Sequence, residues 1–134
     1  MYRTIVLEDE KLIREWIVFQ LERDKDITII ASGDNGDVGL EYIRKYKPDI
    51  VVSDINMPKL TAFEMLEKLP SNEFSTIIIS GYNDFSNAQQ AIYYDVCAFV
   101  EKPIDEFHLK HAINKAKNQS EKISILKKKV ISFN

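Results

Sequence analysis

Apolar residues fall along this chain in two alternating rhythms. Short runs rich in β-branched residues, TIVL (4–7), ITIIAS (27–32), IVVSD (50–54), TIIIS (76–80) and CAFVE (97–101), read as strands. Between them, apolar positions recur at helical spacing. Leu12, Ile13, Trp16, Ile17, Phe19 and Leu21 mark a helix over 11–23, and Leu40 and Ile43 the inner face of a second, running to about Tyr46. A short helix is expected over 63–69, closed by Pro70. A fourth opens near Asp84, where Asp84 or Ser86 would cap free amides, with Ala88, Ala91 and Ile92 on its apolar face. Asp105 would cap the last. Turn signals punctuate the series at GDNG (33–36), Lys47-Pro48-Asp49, Gly81-Tyr82-Asn83 and Lys102-Pro103.

Strands alternating with helices predict an α/β fold with a parallel sheet. Several strands are apolar without a break, as required when helices cover both faces. Right-handed crossovers then leave a doubly wound open sheet as the natural topology. A closed eight-stranded barrel needs roughly 250 residues, and the chain has 134.

Composition changes this picture in two ways. The net charge of −3 hides an asymmetry: residues 115–134 hold six lysines against one glutamate, a net of +5. Residues 1–114 therefore keep twelve basic and twenty acidic side chains, a net of −8. The single cysteine, Cys97, rules out an internal disulfide framework and a Cys-rich metal site. No apolar run reaches membrane-span length and no signal-peptide pattern opens the chain, so a cytoplasmic protein with no membrane partner is expected.

Open α/β sheets bind ligands outside the carboxyl ends of their strands, where strand order reverses. Here those ends carry Glu8-Asp9, Asp54, Ser80 and Lys102. Each residue alone has an ordinary explanation. Acids cap turns, Glu8-Asp9-Glu10 would suit the positive end of the first helix, and Ser-Gly or Lys-Pro pairs end strands. Their joint occurrence at four strand ends favours a site. Crowded carboxylates raise one another's pKa, and a hard divalent cation such as Mg2+ relieves that repulsion through oxygen ligands. Lys102 would pair with Asp54 or an incoming anion, and Ser80 would hydrogen-bond an oxyanion. A carboxylate so equipped can attack a phosphoryl group and form an aspartyl phosphate. On this reading Asp54 sits at a cleft mouth, neither buried nor unpaired.

At this point the sequence resembles the receiver domain of two-component response regulators, over residues 2 to about 118. The resemblance rests on LEDE (7–10), DINMP (54–58), IIISGY (77–82) and EKPI (101–104) in that order. It implies a flavodoxin-like five-stranded sheet of order 2-1-3-4-5 with five helices, the last extended. It makes Asp54 the phosphoacceptor and Asp9 the principal acid for Mg2+ or Mn2+, with Glu8 beside the metal or acting through water. Asn56 would lend its backbone carbonyl. Ser80 and Lys102 would contact the phosphoryl group, Pro103 would follow a cis bond, and Phe99 would be the aromatic switch residue. A sensor histidine kinase as partner, a homodimer on activation and control of transcription are likewise implied. DNA would be reached only through an effector domain missing from this chain. Chemistry would be limited to the domain's own phosphoryl transfer and autodephosphorylation. The loop SGYNDF, with Tyr82 and Phe85, resembles receivers fused to AraC-type helix-turn-helix effectors.

Four positions depart from the family pattern. Glu8 replaces the usual Asp, Phe99 lacks a hydroxyl, and Thr61-Ala62 stand where Asp-Gly is common, so Ala62 would be strained if a positive φ is required there. Two other readings stay open. One is a receiver-like dimerisation scaffold not controlled by phosphate. The other is a small aspartyl-phosphate phosphohydrolase, disfavoured because Asn56 stands where such enzymes carry a second acid. Residues 119–134 form a basic helical linker or the start of a coiled coil, since Ala116, Ser120, Ile123, Leu126, Val130 and Phe133 make a near-heptad stripe.

Overall fold

Each apolar run becomes a strand because helices cover both faces of one sheet. The computed structural model describes residues 1–71, 73–81 and 85–133, with Phe85 and residues 131–133 described by backbone alone. In chain order the elements are β1 (Tyr2–Leu7), α1 (Lys11–Glu22), β2 (Ile27–Gly33), α2 (Gly36–Tyr46), β3 (Ile50–Asp54), α3 (Ala62–Glu67), β4 (Ser75–Ser80), α4 (Phe85–Tyr93), β5 (Ala98–Glu101) and α5 (Glu106–Phe133). The strands pair in parallel in the order β2-β1-β3-β4-β5, the doubly wound flavodoxin-like arrangement. Val6, Val52, Ile77 and Ile79 face α1 and α5. The alternate positions Ile5, Leu7 and Val51 face α2 and α3, and Ile78 packs with Phe63 and Ala91 of α3 and α4. Both sides of the pleat are thus dry, which is why the strands show no polar alternation.

Two helices bury less than their apolar content suggests. Leu12 and Phe19 on α1 are 80% and 63% exposed, and Ile92 on α4 is 80% exposed. A helix lying on a sheet buries only one stripe of its surface. On α1 that stripe is filled by Ile13, Trp16, Ile17 and Leu21, leaving Leu12 and Phe19 on the far side. On α4 the inner positions go to the small Ala88 and Ala91, and Ile92 faces outward.

The turn after β3 does not require a positive φ at Ala62, so the strain that would have followed from one is absent there. Thr61 is the N-cap of α3, and the cap is reciprocal. Its hydroxyl accepts from the Glu64 amide at 3.1 Å, while the Glu64 carboxylate accepts from the Thr61 amide at 2.9 Å. Ala62 is the first helical residue and fully buried, with its amide on the Ile55 carbonyl at 2.9 Å. The positive φ of this loop falls on Lys59, at 75°. A glycine is needed elsewhere, at Gly36. A Cβ there would lie 2.3 Å from the Leu60 carbonyl oxygen, and the Gly36 amide donates to the Pro58 carbonyl at 3.1 Å. The start of α2 therefore clamps the loop that follows Asp54.

Helix α5 begins as expected, with Asp105 accepting from the His108 amide at 2.7 Å. Its stripe is buried at Ala116 and Ile123 and half-buried at Ser120, but Leu126 and Val130 are exposed. Polar ties hold it to the amino-terminal edge of the sheet. Ser75 Oγ donates to the Ala116 carbonyl, Tyr2 donates to Glu121, Lys117 pairs with Asp24 at 2.6 Å, and Lys127 pairs with Glu73 at 3.2 Å. The expected Asp84 cap, the loop through Tyr82 and the place of Phe133 in the stripe lie outside the described residues.

Candidate functional site

Adjacent strands that end at similar heights bring their following residues together. β1 runs out at Leu7 and β3 at Asp54, with Leu7 opposite Ser53 in the register, so Glu8 and Asp9 follow beside Asp54. Oxygen atoms of Glu8, Asp9 and Asp54 all lie within 4.8 Å of one another. β5 ends at Glu101, and the Lys102 amide donates to the Ser80 carbonyl at 2.9 Å, which anchors the lysine backbone to the end of β4. The Lys102-Pro103 bond is cis. From there Lys102 Nζ donates to Asp54 Oδ2 at 3.1 Å and reaches Glu8 Oε1 at 2.8 Å.

Burial differs sharply among these groups. Glu8 is fully buried and Asp54 is 5% exposed, whereas Asp9 is exposed. The expectation of an open, unburied Asp54 is therefore half corrected. The acid is buried, because α3 and the Gly36 clamp close the loop over the end of β3, but it is paired with Lys102. Burial pushes the Asp54 carboxyl up, and Lys102 pulls against that rise without cancelling it. Burial raises Asp9 as well, and the hydrogen bond and charge of the neighbouring Glu8 add to that rise. For Lys102 burial acts downward, but Glu8 and Asp54 outweigh it and hold the ammonium above its ordinary range.

The remaining expected residues lie around this centre. Ser80 is the last residue of β4, 1% exposed. Asn56 is exposed in the loop after β3, two residues beyond Asp54. Phe99 is half-buried against the cluster of Ile55, Phe63 and Ile78, opposite Ile78 in the β4–β5 register. It lines an open cleft of about 690 Å³ between α4 and α5 that extends to Lys102. Sequence reasoning missed Arg14, whose guanidinium donates to the Glu8 carbonyl at 2.8 Å and fixes the turn that carries both acids. The available signal was a charged residue set between Ile13 and Ile17 on the buried stripe of α1.

The donor set suits a hard divalent cation. Among the described residues three carboxylates converge with one lysine facing them, and in ionised form the four groups sum to −2. Glu8 Oε1 is also a buried oxygen whose close contact is the Lys102 ammonium, at 2.8 Å.

A doubly wound α/β domain with acids and a lysine at its strand-order reversal is the architecture of a flavodoxin-like signalling module. Residues 4–114 match the family model of the response regulator receiver domain, and the chain belongs to that family. An uncharacterized response regulatory protein of Staphylococcus epidermidis is 29% identical over 115 residues, 85% of this chain and 46% of that protein. Sensory transduction protein LytT of Oceanobacillus iheyensis is 31% identical over 129 residues, 94% of this chain and 52% of that protein. The chain thus spans about half the length of the curated relatives it matches. A LuxR-family DNA-binding response regulator from Staphylococcus aureus superposes with a TM-score of 0.78 at 29% identity, covering 87% of this chain and 98% of that one.

Proposed function

We propose that this receiver domain accepts a phosphoryl group on Asp54 from a sensor histidine kinase in the cytoplasm, and that the phosphorylated form changes partner at the α4–α5 surface. The observation that carries this reading is the placement of Asp54, buried at the end of β3 and held by Lys102 at 3.1 Å among two further acids.

A divalent cation, Mg2+ or Mn2+, would be held by Asp9, Asp54 and the Asn56 carbonyl, and when bound supplies positive charge against the phosphoryl oxygens. The chain's own groups do the rest. An Asp54 carboxylate oxygen forms the new bond to phosphorus as the P–N bond to the donor imidazole breaks. The imidazole leaves with the bonding pair and takes a proton from solvent. Lys102 turns from the carboxylate to the phosphoryl oxygens, and Ser80 donates a hydrogen bond to one of them. Phe99 lies between Ile78 and the α4–α5 cleft, so a shift of Ser80 toward the phosphate would be transmitted by repacking of its ring. Homodimer formation on activation and an effector domain acting on transcription complete the proposal. The description of the Staphylococcus aureus structure as DNA-binding supports that output. Among the described residues no helix is long and apolar enough to cross a membrane.

Incubation with acetyl phosphate and Mg2+ should add one phosphate by mass spectrometry, and Asp54→Asn should take none. Modification that survives in this variant would overturn the assignment of Asp54. Unrestrained turnover of unrelated phosphomonoesters by the wild type would favour a phosphohydrolase instead.

A further inference from the structure

Two exposed helix faces carry the same spacing with opposite sign. On α1, the exposed Phe19 has Glu15 four residues before it and Glu22 three after, both exposed. On α5, Leu126 is 59% exposed and has Lys122 four residues before it and Lys129 three after, again both exposed. Residues three and four apart are neighbours on a helix surface, so each apolar side chain lies between two like charges. Exposed Leu12 extends the first stripe and exposed Val130 the second. The arginines beside the acidic stripe are engaged elsewhere: Arg14 donates to the Glu8 carbonyl, and Arg23 pairs with Glu106. Lys11 reaches Glu15 only at 4.0 Å, in a surface pair of little worth.

The two stripes do not meet within one chain. Lys117 pairs with Asp24 just past the end of α1, and Leu126 follows nine residues later, about 14 Å further along the helix. Nor does the α5 stripe suit another copy of itself. Two such faces would set lysine against lysine in either orientation, and like charges beside a helical seam oppose pairing. A lysine-flanked leucine calls for an apolar surface rimmed by acids, and α1 presents one. The net charges of −8 over residues 1–114 and +5 over 115–134 favour the same encounter.

We propose that the end of α5 docks on α1 of a second copy of this chain. Leu126 packs on Phe19 of that copy, while Lys122 and Lys129 face its Glu15 and Glu22. The contact is heterologous, joining two different faces, so it adds molecules head to tail rather than closing a two-fold dimer. It uses neither Asp54 nor the α4–α5 surface, and it forms in the unphosphorylated protein. Two helical turns on each side bury less than the roughly 1,200 Å² of a standard stable interface, so the association is transient.

Sedimentation equilibrium of the whole, unphosphorylated chain tests this. The weight-average mass should rise above the 15.6 kDa of one chain as concentration increases, and about 1 M salt should weaken the rise. One variant carries Glu15→Lys with Glu22→Lys, and another Lys122→Glu with Lys129→Glu. Each alone should lose the rise, and an equal mixture of the two should regain it, because each then offers the other a matching stripe. Phe19→Ser and Leu126→Ser, which leave every charge in place, should lose it as well. Thermal melts establish that each variant is folded, and the two serine variants carry the test if a charge-reversed one is not.

A wild type that stays a single chain up to about 1 mM, the weak end of specific binding, would overturn the proposal. So would a rise that persists in the doubly reversed α1 variant, since α1 would then not be the acceptor. Self-association unaffected by Phe19→Ser and Leu126→Ser would reduce the contact to charge alone and sink the docking. Binding of a random DNA duplex that needs Lys122 and Lys129 but not Leu126, by a wild type that stays single, would make the stripe a phosphate-binding face instead.

Discussion

Two aspartates in this domain are shifted in opposite directions, and each contributes to its response to pH. Asp54 is raised by burial, so its native form binds a proton more readily than its unfolded form does. In the window from its ordinary value of 3.8 up to the raised value, the folded state holds more protons, and stability falls as pH rises. Asp24 is the reverse case. Burial would raise it, but Lys117 at 2.6 Å outweighs burial and lowers it. Its contribution is present above 3.8 and is lost as pH falls through the lowered native value. Melting in EDTA should therefore show Asp54→Asn above wild type at neutral pH, with the gain vanishing near pH 4, about the ordinary carboxyl range. Asp24→Asn should lie below wild type at neutral pH, with the deficit closing in acid. Wild type and Asp54→Asn melting alike at every pH would show that the buried carboxylate carries no strain.

At the level of elements, the loop between β3 and α3 is decisive, because it holds Asp54 and Asn56 from behind. It is fixed at one end by the Thr61–Glu64 cap and at the middle by Gly36. Gly36→Ala forces a methyl against the Leu60 carbonyl and should cost about 2 kcal/mol in urea unfolding, in the range of an overpacked interior. An unchanged midpoint would mean that the clamp is slack. The strands and the acids at their ends were legible in the sequence, since an unbroken apolar run followed by a polar residue marks both at once. The exposed Leu12, Phe19 and Ile92 were not, since apolar content does not say which stripe of a helix meets a sheet. The strain considered at Ala62 was not legible either. Thr61 caps α3 and the positive φ moves to Lys59, which are choices made by tertiary contacts of the loop. Nor could spacing show that Glu8 reaches Lys102, a contact between residues 94 positions apart.

For the whole molecule, the boundary drawn from sequence near residue 118 is tested by the far end of α5. Ile123 is buried, and Tyr2–Glu121 and Lys127–Glu73 tie this stretch to the body. A protein ending at residue 118 should melt below one ending at residue 127. Burial of one isoleucine alone is worth about 2 kcal/mol. Equal melting temperatures would place the stretch outside the folded unit. Helix α5 starts beside Lys102, at the carboxyl edge of the sheet, and runs past the opposite edge over 28 residues, about 42 Å at 1.5 Å per residue. Mechanically it is a beam. Its upper half is bedded in the core, and further along it the half-exposed Lys127–Glu73 ion pair is a support that salt weakens. A small tilt imposed at Pro103 is magnified toward Lys127, and ionic strength sets how stiff that lower bearing is.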